Sequence, residues 1–154
     1  MSNLSALMVA VEVASRKRDG ARKVLQDTQA AQQAASEQLD QLEGYARETE
    51  ARWGMKEDTA VQPEVMYHHY QFMDRLGQAA VLQTGVVSDQ SHRVNTARQA
   101  LMEAELRLAS LRKVMEKRRQ EIELQQMRKD QKQTDERAAL QYRNAILGAP
   151  SQEN

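Results

Sequence analysis

Cysteine is absent from this 154-residue chain, so no disulfide framework can staple it and no thiolate can serve as nucleophile or metal ligand. Proline is almost absent too: only Pro63 and Pro150 occur, which leaves long stretches with nothing to break a helix. Aromatic residues make up 4% of the chain, with a single Phe and a single Trp, too few for a thick globular core. Net charge is also lacking. The 22 basic and 22 acidic side chains cancel, and bulk electrostatics suggest neither nucleic acid nor a membrane surface as partner. No apolar run approaches the ~20 residues that span a bilayer. No basic segment is followed by an apolar run and a cleavage site. These absences lead us to expect a soluble cytoplasmic protein without direct membrane insertion.

What remains is 29% charged residues in a background rich in Ala, Gln, Leu, Arg and Glu, the composition of long helices. Apolar or small residues recur at alternating spacings of three and four. They run through Leu4, Leu7, Val11, Ala14, Ala21, Leu25, Thr28, Ala35, Leu39, Leu42, Ala46, Thr49 and Trp53, with Arg18 and Gln32 as polar breaks. That repeat is the seam of a coiled coil. A second seam follows Pro63 and continues through Val94, Ala97, Leu101, Ala104, Leu108, Leu111 and Met115. The next positions in phase are Arg118, Ile122, Gln125 and Lys129, so it decays near residue 118 although nothing there breaks a helix.

An antiparallel hairpin accounts for where the decay falls. If the chain turns between Trp53 and Met66, paired residue numbers add to about 119, because both helices rise equally per residue. Leu25 then faces Val94, Val11 faces Leu108, and Leu4 faces Met115, so the second seam ends where its partner begins. We expect one all-α domain, an antiparallel two-helix coiled-coil hairpin. Its first helix covers about 4–52, the turn about 53–63, the longer second helix about 64–147, and a frayed tail 148–154. Asn3 is the expected N-cap, with Ser2 and Ser5 as alternatives, and Gly54 the expected left-handed C-terminal residue. Pro63-Glu64 suits a first helical turn. Roughly thirty residues of the second helix, about 45 Å at 1.5 Å per residue, project past the paired region. Gly20, Gly44, Gly77 and Gly85 interrupt the helices, each at ~1 kcal/mol relative to Ala. Gly44 and Gly77 fall at one level, as local weakness or as a point where the hairpin bends or a partner approaches.

Little here could carry chemistry. His68 and His69 are adjacent and point about 100° apart on a helix, so with His92 they make a poor metal site. There is no Gly-rich phosphate loop, and a two-helix hairpin offers no pocket for a catalytic constellation. We therefore expect no catalytic residues, no metal, no cofactor and no enzymatic activity. Two regions stand out instead. After the turn, Met66, Met73, Ala80 and Val87 run beside Val65, Phe72, Ala79 and Val86, with Leu76 and Leu82 adding to them. Two adjacent apolar positions make a stripe wider than one helix covers. At the matching level the first helix offers Leu42, Tyr45 and, one turn earlier, Gln38. The stripe is either a broader core, a seat for a third short helix, or a docking patch with an aromatic anchor. The second region is the projecting tail. Arg112, Lys113, Lys117, Arg118, Arg119, Arg128, Lys129 and Lys132 alternate there with Glu116, Glu121, Glu123 and Asp130. It reads as a solvated helix laced with ion pairs, or as a lone helix that needs a partner around it. The interleaved acids and the lack of aromatics argue against nucleic acid.

The segment Tyr67-His68-His69-Tyr70-Gln71-Phe72-Met73, leading to Leu76 and Ala79, resembles the region after the turn in the flagellar export protein FliJ family. The closing segment from Arg128 to Glu136 is similar to the end of that family. The resemblance covers nearly the whole chain and implies a cytoplasmic component of the flagellar type III export apparatus, peripheral to the inner membrane. It implies a stalk-like coiled coil whose terminal end enters and activates the hexameric export ATPase. A patch nearer the turn is implied to bind the cytoplasmic linker of the large export-gate membrane protein and to meet export chaperones. Carried over, the gate patch is Gln38, Leu42, Tyr45, Phe72, Leu76 and Ala79, and the ATPase-facing residues are Arg118, Arg119, Arg128, Asp130, Gln131, Lys132 and Asp135. Thr49 and Gln83 stand where the family pattern has an aromatic and a histidine. The rivals are the equivalent stalk of a virulence injectisome and a generic coiled-coil scaffold.

Overall fold

The computed structural model describes residues 2–56 and 62–148. It consists of two antiparallel helices, α1 (Ser2–Lys56) and α2 (Pro63–Leu147), of 55 and 85 residues. No strand occurs among the described residues. The covered positions on α1 are the seam read from the sequence, from Leu4 to Trp53, with Arg18 and Gln32 half-covered in their places. On α2 the seam runs through Met66, His69, Met73, Leu76, Gln83 and Val87, then through Val94 and Ala97 to Ile122. Ala14, Ala35, Leu76, Val94, Ala97 and Leu108 form the buried core, and Val94 is the most enclosed large side chain, at 2% exposure. A core this small, with alanine in three of six places, gives each larger side chain in it a large share of the packing energy.

The chain divides into two compact units, Ala14–Leu106 and Met1–Val13 with Arg107–Asn154. Within the first, contacts between the helices fix the register. Tyr45 meets Phe72 edge-on, Trp53 stacks on His69, Gln83 donates to the carbonyl of Ala35, and Gln32 donates to Ser91. Each pair lies within about one helical turn of the expected register. Within the second unit, Leu7 and Ala10 of α1 lie opposite Val114 and Arg118 of α2. Every described residue of this unit from Glu123 onward is exposed.

Three local expectations change. Asn3 is not a cap, because α1 already includes Ser2. Gly54 is not a left-handed terminus: α1 continues through it to Lys56, and no described glycine has a positive φ. One glycine costs only ~1 kcal/mol in a helix, and the Trp53–His69 stack holds the last turns in place. The seam also outlasts residue 118 by one turn, because Arg118 and Ile122 are still partly covered. Pro63 does open α2. The carbonyl of Gln62 accepts from the amides of Val65 and Met66, and Glu64 sits in the first turn where the helix dipole favours an acid. Gly148 follows the last helical residue and donates its N–H to the carbonyl of Asn144. Residues 57–61 of the expected turn and Ala149–Asn154 of the expected frayed tail lie outside the described residues.

Candidate functional site

The seam consumes most of the apolar surface, so what it leaves uncovered defines the candidate surfaces. On one flank of the 14–106 unit, Tyr45 of α1 and Phe72 of α2 meet with ring centroids 5.9 Å apart and planes at 84°. The edge-to-face contact fixes both rings while leaving Tyr45 51% and Phe72 40% exposed. A ring held in place and half in water loses little further freedom when a partner covers it. Gln38, Leu42 and Tyr45 line one groove with Gln41 and Gln83. Gln83 bridges the helices here, donating to the Ala35 carbonyl at 2.9 Å and to Gln38 Oε1 at 3.2 Å. The side chain that departs from the family pattern thus has a structural task, and so does Thr49, whose hydroxyl donates to the carbonyl of Tyr45 at 2.8 Å.

The expected patch is therefore only partly a surface. Gln38, Tyr45 and Phe72 are exposed and Leu42 and Ala79 half-covered, but Leu76 is 9% exposed and belongs to the core. The stripe divides accordingly: Met66, Met73, Ala80 and Val87 are half-covered at the seam, while Val65, Phe72 and Val86 emerge from it. Leu82 is fully outside. Sequence reasoning missed the Trp53–His69 stack, with centroids 4.1 Å apart and planes at 26°. The signal was present, since Trp53 is the last seam position of α1 and His69 falls in phase with Leu76.

The second surface is the far part of α2. Ion pairs occur where the seam ends, Arg119 with Glu116 at 3.0 Å and Arg118 with Glu121 at 3.3 Å. Arg118 is half-covered, and its Nε is buried without a hydrogen-bond partner among the described residues. Its stem thus serves the seam while its charge faces outward. Beyond Ile122 the lacing changes character. Gln126 donates to Asp130 at 3.2 Å and Gln131 to Asp135 at 3.1 Å, each four residues apart. Arg128 and Lys132 are in no ion pair among the described residues, and they share one shallow depression with Gln131 and Asp135. Leu124, Met127, Leu140, Tyr142, Ile146 and Leu147 are all exposed on this helix.

Among the described residues no group of His, Asp and Glu could hold a metal ion, and no helix is long and apolar enough to cross a membrane.

A two-helix antiparallel coiled coil with the second helix the longer, exposed from Glu123 onward and bearing the Tyr45–Phe72 pair, is the class of protein defined by these features. Over residues 3–146 the chain matches the family described as the flagellar FliJ protein, and it belongs to that family. Membership makes it a component of the type III export apparatus. Among solved structures it is similar to CT670 from Chlamydia trachomatis, described as a YscO homolog. The two are 18% identical, with a TM-score of 0.68 over 96% of this chain and 95% of that one, a likeness of fold. No curated protein sequence matches the chain.

Proposed function

We propose that this protein is a non-enzymatic stalk and adaptor of the flagellar export apparatus, working on its cytoplasmic side. The far end of α2 enters the pore of the hexameric export ATPase and raises its activity. The Tyr45–Phe72 flank binds the cytoplasmic linker of the export gate, and export chaperones meet the same end of the hairpin. The observation that carries this reading is the run from Glu123 to Leu147: about seven turns of helix with every described residue in solvent and six large apolar side chains exposed. An isolated helix of this kind is held by side-chain pairs worth only ~0.2–0.5 kcal/mol each. Its apolar residues are better accounted for by a partner that surrounds it than by solubility. Arg128 and Lys132, in no ion pair among the described residues, suit acidic groups on such a partner.

Hydrogen exchange tests this reading. Amides from Glu123 to Leu147 should exchange quickly in the free protein and slow at least tenfold when the hexameric ATPase is added, with less protection at high salt. Unchanged exchange at saturating ATPase would refute insertion. The fold likeness to CT670 does not by itself favour an injectisome role, and the flagellar family match over residues 3–146 favours the flagellar one.

A further inference from the structure

The flank of the 14–106 unit opposite Tyr45 and Phe72 carries a second row along α2, which α1 half-covers at Met66 and Met73 and leaves exposed at Tyr70, Gly77 and Val81. Its location follows from one bond. Gln32 donates to Ser91 Oγ at 3.0 Å and marks this flank on both helices. Ser91 shares its heptad position with Tyr70, Gly77 and Thr84 on α2, and on α1 the position four residues after Gln32 recurs at Glu43 and Glu50, so all of these lie on the same flank. Along α2 the row reads Met66, Tyr70, Met73, Gly77, Val81, at steps of four, three, four and four that keep to one face of the helix. Met66 and Met73 are half-covered, whereas Tyr70 is 63% and Val81 73% exposed. Gly77 sits between Met73 and Val81, and the three share one surface depression.

Gly77 does nothing for the hairpin itself. A Cβ built on it meets no atom within 4 Å, so the glycine is not required by the approach of α1. Its cost to the helix remains, and a glycine inside an apolar row lets a second helix come close there. The rim decides what kind of helix. Asp40, Glu43 and Glu50 of α1 border this flank, with Asp74 on α2, against Arg47 alone. All five are exposed, and none is in an ion pair among the described residues. A second copy of this chain would bring acids against acids, which the charge pattern disfavours. We propose that this flank is a docking groove for a basic amphipathic helix of a partner protein, which crosses α2 at Gly77. It is separate from the Tyr45–Phe72 surface, so two partners can be held at the same level of the hairpin.

The test uses the full chain and two designed helical peptides. They share one apolar face of Leu and Ala, and carry Lys and Arg on the flanks in one case and Glu in the other. Fluorescence anisotropy should show binding of the basic peptide and at least tenfold weaker binding of the acidic one, with the difference shrinking as salt is raised. Val81→Asp alters an exposed side chain and should weaken the basic peptide at least tenfold while leaving the circular dichroism spectrum unchanged. Phe72→Ala, on the opposite flank, should leave it unaffected. Charge reversal by Glu43→Lys with Glu50→Lys should invert the preference between the peptides. Equal binding of both peptides, or insensitivity to Val81→Asp, overturns the proposal. Concentration-dependent dimerisation abolished by Val81→Asp also overturns it, and would make the occupant a second copy.

Discussion

Leu76 and Phe72 are four residues apart on α2, and the structure gives them different tasks. Leu76 is buried at 9% exposure, and truncating it to Ala removes about three carbon groups from the seam, at ~0.8 kcal/mol per buried CH2. The transfer loss is therefore about 2.4 kcal/mol. A seam one side chain deep relaxes or admits water more readily than a closed core, so the cavity contribution stays small and the total falls at about 2–3 kcal/mol, the lower part of the usual Leu→Ala range. Phe72 is 40% exposed and makes one edge contact with Tyr45, worth ~0.5–1.5 kcal/mol. Phe72→Ala should cost about 1 kcal/mol in stability. As the anchor of the proposed gate-binding flank it should nevertheless lower affinity for the gate linker by ~2 kcal/mol or more, about thirtyfold. Urea unfolding followed by circular dichroism, paired with calorimetric titration of the linker, separates the two effects. Leu76→Ala should unfold early and bind almost normally at temperatures where it is folded. The reasoning is refuted if Leu76→Ala unfolds with the wild type, or if Phe72→Ala destabilises more than Leu76→Ala.

Other consequences are equally measurable. Gly20→Ala and Gly44→Ala should each raise stability by up to ~1 kcal/mol, because a Cβ at either position meets nothing within 4 Å; a lowered melting temperature would contradict the open geometry. A double-mutant cycle on Gln32→Ala and Ser91→Ala should show coupling of ~1 kcal/mol for their part-buried bond, and strict additivity would remove it from the account. A cysteine pair at Leu25 and Val94 should crosslink within one chain and a pair at Leu25 and Met66 should not; the reverse pattern would break the antiparallel register.

The seam was legible because helix period and side-chain type coincide along it. Where Leu, Val and Ala recur at spacings of three and four, the covered face follows without further information, and both polar breaks, Arg18 and Gln32, fall on it as read. The boundary of the exposed aromatic patch was harder to read. After Pro63, apolar residues occupy adjacent heptad positions, so periodicity alone cannot say whether Leu76 or Phe72 enters the core; the burial of Leu76 and the exposure of Phe72 settle it. Polar bridges were illegible for a different reason. Gln83 at a covered position reads as a fault in the seam, and only a neighbouring backbone carbonyl, that of Ala35, makes it a cross-link. Helix ends depend on a few tenths of a kcal/mol per residue, which explains why Gly54 did not stop α1.

The central claim is that the uncovered part of α2 activates the export ATPase, and ATP hydrolysis by the hexameric enzyme measures it directly. The chain truncated after Ile122 keeps every covered seam position and should stay helical with an unchanged melting temperature. The account predicts that the full chain raises the hydrolysis rate and that the truncated chain leaves it at the basal value at any concentration. Full stimulation by the truncated chain would contradict it.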